Sequence, residues 1–491
     1  MQLRTLASVA AQRLALCIAI IFALSMHTAA TSSTYKNGRV VLGYFPIQRT
    51  VSDIPWSSLT HANIAFAFTG DNGEISFEGN VVNSTLTSEQ NAVNLIAQGQ
   101  QNGVKMLIAV GGQGNFSTHL AAALSSNTSQ ATFVSNAMGF IKKYNLDGID
   151  IDWEYPNSTS QAQSLLSALQ NTRSALDNTF GKGKKLLTIT LYNHPYLGPG
   201  VPTVDYKPYA DAVDYAFTMA YDYFGSWTDY TAPDAPFLDV PFYAGSFRNT
   251  TDSWLDAGWP ADKLVAGLAF YGHSSVVSVD MAANTTNQYV PIFNHTTIDG
   301  PISAIAGTWT WRDMRDPSSG ALSDPTTAGS GWVRAWDNYT MTPWLFRSSD
   351  KLYIGYDDEG SLGIKMDYAL QKGLAGVMIW EIGYDYNNEL MTYVRDFITQ
   401  IDDGDKPSNC VPSDSELNAI YQESRNPNFY NQLALLKRST SNGLPDASKP
   451  ICAFGKDDSK SSATSLRHMT GFGQTGVLMV AIMAATVALP W

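Results

Sequence analysis

Residues 146–156 read Leu-Asp-Gly-Ile-Asp-Ile-Asp-Trp-Glu-Tyr-Pro. Within this run Asp150, Asp152 and Glu154 alternate with Ile151 and Trp153. Successive side chains of a strand point to opposite faces, so the three carboxylates share one face. Such a row is costly, because burial and like charges both disfavour ionisation. A structural role does not explain that cost; acid–base chemistry does. Glu154, the outermost, is expected to be held protonated by its neighbours and to donate a proton to a leaving group. Asp150 and Asp152 are expected to share a proton behind it. A metal is the rival use of clustered carboxylates. One strand sets them at successive depths and not around a point, so no metal or cofactor is expected.

Seven more short apolar or β-branched runs resemble this one in length: 40–45, 62–68, 105–110, 185–191, 215–221, 263–270 and 375–380. Their near-continuous hydrophobicity suits parallel strands covered on both faces. Helical patterns lie between several of them, at 131–143, 158–180 and 358–372. Eight strands with helical crossovers predict an α/β fold, a (β/α)8 TIM barrel, over residues 39–400. A doubly wound open sheet is the alternative, but no Gly-rich dinucleotide loop follows the first strand. The spacing between the seventh and eighth runs is too long for one crossover helix. Residues 273–349, with Trp309, Trp311, Trp332, Trp336 and Trp344, are therefore read as an α+β insertion lobe on the catalytic face.

The 491 residues are 44% apolar and only 15% charged, which excludes a disordered acidic chain. A net charge of −13 argues against a nucleic-acid partner, since phosphate binding needs a basic face. Arg4 and Arg13, the apolar run 14–26 and the small residues Thr28 to Ala30 make residues 1–30 an expected secretory signal peptide. The run is shorter than the roughly 20 residues that span a bilayer. Small residues at Ser461 to Ala463, a polar spacer and the apolar stretch 477–489 resemble a GPI-anchor signal. Residues 462–491 are expected to be its propeptide, with Ser461 as the attachment site. Cys17 lies in the signal peptide, which leaves Cys410 and Cys452 as a plausible disulfide stapling an extension at 403–458. Sequons at Asn83, Asn115, Asn127, Asn157, Asn249, Asn284, Asn294 and Asn338 fit a glycosylated extracellular surface, held to a membrane by the lipid anchor.

The pattern Asp147-x-x-Asp150-x-Asp152-x-Glu154 resembles the signature of family 18 glycoside hydrolases, the chitinases. The resemblance runs from about Arg39 to Thr399. It includes Gly43-Tyr44-Phe45, Ala65-Phe66-Ala67, Ala109-Val-Gly-Gly112, Met219-Ala-Tyr221-Asp222, the run 263–272, Tyr356-Asp-Asp358 and the run 373–381. It implies retaining hydrolysis of β-1,4-linked N-acetylglucosamine polymers, assisted by the substrate's own acetamido group; the general rules for glycosidases name this family as an exception. By resemblance Glu154 is the acid and base, and Asp152 stabilises the oxazolinium ion with Asp150 behind it. Tyr221 orients the acetamido carbonyl, and Asp222 contacts the same sugar. Trp380 matches the floor beneath the cleaved sugar, and Tyr44, Phe66, Gly112, Met219, Tyr271 and Met378 match other pocket positions. Asp147 belongs to the motif as a structural residue.

Two positions depart from the pattern. Gln113 stands where the family often has Trp, and His273 where many members have Arg, both at positions for more distant sugars. The resulting expectation is a monomeric, endo-acting chitinase. A chitin-binding lectin and an endo-β-N-acetylglucosaminidase are the alternatives. Lectin-like relatives commonly lack the acid, which is present here.

Overall fold

A computed structural model describes residues 38–195, 204–240 and 243–402. The expected signal peptide, Cys410 and Cys452, the 403–458 extension, Ser461 and the anchor propeptide lie outside the described residues.

The first barrel strand, Val40–Pro46, is buried along its whole length. It pairs in parallel with His61–Thr69 on one side and Gly376–Trp380 on the other, and this closes the sheet. Between them, in chain order, stand Lys105–Gly112, Gly148–Trp153, Leu186–Leu191, Tyr215–Thr218 and Leu264–Ala269, all parallel. Eight strands thus form the expected closed barrel, and the hydrophobicity of each run reflects cover from helices outside and packed side chains within.

The helices begin where a side chain takes up their free N–H groups. Ser158 caps Thr159–Phe180, and Asp358 caps Glu359–Gln371. The helix expected from 131 starts earlier, at Asn127, because the Ser126 side chain accepts from the Ser129 N–H. Among the described residues no helix is long and apolar enough to cross a membrane.

The insertion lobe is a five-stranded antiparallel sheet in the order Thr308–Thr310, Tyr271–Val276, Leu352–Tyr356, Thr342–Arg347, Trp332–Asp337. Its helical part is small, the five-residue Trp311–Arg315 and a 3-10 turn at Met281–Ala283. The sheet spans 271–356, wider than the expected 273–349. Leu352–Tyr356 pairs with Tyr271–Val276 and is the central strand of the lobe, so the lobe extends to the Tyr356-Asp-Asp358 motif. Of the lobe's tryptophans, Trp309 and Trp311 are fully buried in the core shared with the barrel, where Trp309 meets Trp332 edge-on at 5.5 Å, and Trp344 is buried in a separate lobe cluster.

One turn ties this frame to the carboxylate strand. Gly111 has φ +96°, and a Cβ there would lie 2.0 Å from the Asp152 carbonyl oxygen. Gly111→Ala is therefore expected to cost at least ~2 kcal/mol, from left-handed strain together with a backbone clash. Urea unfolding measures this, and an unchanged midpoint would refute it.

Candidate active site

The strand Gly148–Trp153 carries the acid residues up the barrel axis and stops one residue short of Glu154. Asp150 is deepest. Its oxygens accept from Tyr44 Oη at 2.7 Å and Thr188 Oγ1 at 2.6 Å, with Thr190 Oγ1 at 3.4 Å. Burial raises its pKa to about 6, and the hydroxyls oppose the rise. Asp152 sits above it, 4% exposed, with Oδ1 unpartnered. Burial, then the charges of Glu154 and Asp150, push it well above the carboxylate range.

Glu154 is half-buried, and its backbone N–H donates to Ser117 Oγ at 2.6 Å. Burial raises Glu154 to about 7; the Tyr155 hydroxyl opposes this and the Asp222 charge adds to it. Two expectations change. Desolvation, more than the neighbouring carboxylates, protonates the acid. And among the described residues no hydrogen bond joins Asp150 to Asp152, because hydroxyls from other strands occupy Asp150. Asp147 lies at the foot of the strand, where Oδ2 accepts from the Met106 N–H at 2.9 Å, a purely structural place.

Aromatic rings flank the carboxylates. Trp380 lies 5.4 Å from Tyr44 and stacks on Phe66 at 6.0 Å, centroid to centroid. Trp380, Phe66 and Met219 are half-buried and face the mouth. Tyr44 and Met378, expected to line the pocket, are seated in the barrel core at 1% and 0% exposure. Gly112 has φ +91°, and a Cβ there would come within 2.9 Å of the Phe66 ring. It therefore acts by admitting Phe66. Three peptide bonds here are cis: Ala65–Phe66, Glu154–Tyr155 and Trp380–Glu381.

The opposite side is built from the loop after Tyr215–Thr218 and the first lobe strand. Tyr221 is buried and meets Tyr271 edge-on at 6.1 Å. Asp222 Oδ1 accepts from Tyr271 Oη at 2.6 Å and His273 Nε2 at 2.8 Å. Behind it lies Asp234, 1% exposed, whose Oδ1 is 3.4 Å from His273 Nε2 and accepts from the Asp222 N–H at 3.1 Å. His273 therefore touches an expected site residue directly. Gln113 is exposed. Asp222, Asp234 and His273 converge within 4.8 Å, but the hydrogen bonds among them occupy the atoms a cation would need.

Ser117, Thr188, Thr190 and Asp234 were not singled out in the sequence. Thr188-x-Thr190 places two hydroxyls on the inner face of an apolar strand, a period-2 signal that was available. Nothing local marks Asp234, which reaches the site from a proline-flanked loop. Seven sequon asparagines are exposed. Asn249 is the exception, half-buried in a helix with Nδ2 donating to Asp239 at 3.1 Å. That contact engages the nitrogen a glycan would need.

Residues 31–385 match the family described as Glycosyl hydrolases family 18. The chain belongs to this family. A relative, Chitinase 1 of Aphanocladium album, is 30% identical over 351 residues, covering 67% of this chain and 76% of that one. A crystal structure of a chitinase from Rhizomucor miehei aligns with a TM-score of 0.64 at 28% identity, covering 73% of this chain and all of the other. A family 18 chitinase from Cycas revoluta, solved with (GlcNAc)3, aligns with a TM-score of 0.62 at 25% identity, covering 73% and 99%. The closed (β/α)8 barrel is that of family 18.

Proposed function

We propose that this family 18 protein is an endo-acting chitinase that cleaves β-1,4-linked N-acetylglucosamine chains with retention. The observation that carries the reading is Glu154, a carboxyl raised by burial to about 7, at the top of a buried acidic column whose deepest member hydrogen-bonds Tyr44, the ring 5.4 Å from Trp380. Glu154 gives its proton to the glycosidic oxygen. The acetamido carbonyl oxygen attacks the anomeric carbon as the leaving group departs, forming an oxazolinium ion. Asp152, as a carboxylate, stabilises the developing positive charge. Tyr221 holds the acetamido group in line, and Asp222 holds the sugar. Water then opens the ring with Glu154 as base. Apolar contact with Trp380 and Phe66 supports the pyranose. The names of the relatives support the substrate class.

Mass spectrometry of products from a defined N-acetylglucosamine oligomer tests the reading. Internal cleavage by the wild type supports it; an oligomer bound but left intact would identify a lectin. Action on glycoprotein glycans without action on chitin would identify an endo-β-N-acetylglucosaminidase. The pH profile has a defined sign. Only protonated Glu154 can act as acid, so kcat/KM falls as pH rises through about 7. A flat profile to pH 9 would exclude Glu154 as the acid.

The patterns at 1–30 and 462–491 support a proposal that the protein is exported, glycosylated and held by a lipid anchor at the surface of the producing cell, where it remodels chitin in the wall. Phospholipase treatment of intact cells tests the anchor: release of the protein supports it, and retention refutes it.

A further inference from the structure

His273 is set between two carboxylates of different character. Asp222 is 53% exposed at its side chain and faces the cleft, while Asp234 is 1% exposed and lies behind. Nε2 of the imidazole approaches Oδ1 of both, at 2.8 and 3.4 Å, and the ring also hydrogen-bonds the backbone of Gly307. Asp234 is further tied to the Asp222 backbone, whose φ of +58° is in the left-handed region. Aspartate tolerates that conformation better than most residues, and here the Asp234 carboxylate on its N–H pins it. The Tyr271 hydroxyl and His273 Nε2 both converge on Asp222 Oδ1.

We propose that His273 and Asp234 are positioning residues that lock Asp222 in one orientation, with His273 serving as an imidazolium counter-charge, so that sugar binding at Asp222 depends on the protonation of His273. The inference rests on the oligosaccharide-binding reading of the cleft.

The surrounding groups define the electrostatics. Tyr271 donates to Asp222 from the strand that carries His273. Trp227 covers the imidazole edge-on at 4.8 Å. Glu154, Tyr221 and Asp222 interact electrostatically across the cleft. Behind Asp234 the buried Lys365 pairs with Asp357, bringing one positive and one negative charge. Burial opposes the charge on His273, but the Asp222 hydrogen bond and the charges of Asp234 and Asp222 prevail and raise it from 6.5 to about 9. Partial desolvation by the surrounding cleft opposes the Asp222 charge; the His273 and Tyr271 contacts prevail and hold it below its ordinary range. The counter-charge is therefore present below about pH 9 and lost as pH rises through that value.

The test uses the full chain with Glu154→Gln, which removes the acid's own titration, and a chitin oligomer titrated calorimetrically from about pH 7 to 10.5. Affinity is expected to weaken roughly tenfold above pH 9, the fold-change of losing one charge-assisted hydrogen bond. Adding His273→Arg, whose charge persists, should keep affinity constant over that range. A pH-independent affinity in the Glu154→Gln chain, or an unaltered alkaline loss with His273→Arg, would overturn the proposal. Failure of the oligomer to bind at any pH would instead defeat the substrate reading. NMR titration of the ligand-free imidazole then decides the inference: a midpoint near 9 that falls in Asp234→Asn supports it, and a midpoint near 6.5 refutes it.

Discussion

Glu154→Gln lowers kcat on a chitin oligomer by about 10³- to 10⁴-fold, the scale of losing a positioned general acid, while KM stays within about threefold. Glutamine keeps the shape and the neutral charge of the protonated acid but cannot give up a proton. The backbone of residue 154 remains tied to Ser117, so the cleft keeps its form. A second measurement separates lost chemistry from lost folding. Burial raises the Glu154 pKa from 4.5 to about 7. Its folded state thus binds a proton more tightly than the unfolded chain, and stability declines as pH rises through that window. The amide does not titrate, so the variant should be more stable than wild type above about pH 7. A variant that keeps wild-type kcat would remove Glu154 from the mechanism; one that unfolds earlier at pH 8 would show that the carboxyl is structural.

Asp152→Asn is expected to reduce kcat by about 10²- to 10³-fold, again with little change in KM, as for removal of a charge that acts only in the transition state. The reason lies in its resting state. Burial first, then the charges of Glu154 and Asp150, push the Asp152 carboxyl well above its ordinary range, and asparagine keeps its shape without its charge. Asparagine cannot become an anion when positive charge grows on the substrate. The unpartnered Oδ1 marks an atom with no hydrogen bond in the free protein and available to one in the complex. A matched rise in KM with unchanged kcat would make Asp152 a binding residue instead.

Much of the site was legible in the carboxylate run because a strand has a fixed period of two. Once residues 148–153 are a strand, Asp150 and Asp152 must share a face with each other, and Glu154 must follow at the mouth. The barrel was legible for a related reason: parallel strands covered on both sides leave uninterrupted hydrophobic runs. The limits of the lobe were not, because Leu352–Tyr356 is equally apolar whether it pairs with a barrel strand or with Tyr271–Val276. Register between distant segments leaves no local trace.

The chain's own order of residues determined the barrel, the placement of Glu154 above two aspartates, and membership of family 18 by motif. Only the tertiary structure decided how those groups are charged and held. Burial sets the protonation of Glu154, and the hydroxyls of Tyr44 and Thr188, which occupy Asp150, come from other strands. Asp234 and His273 meet at Asp222 from a loop and a lobe strand that lie apart in sequence. Strand periodicity acts between neighbours along the chain, whereas desolvation and Coulomb forces act through space, so the first is written in sequence and the second appears only when the barrel closes.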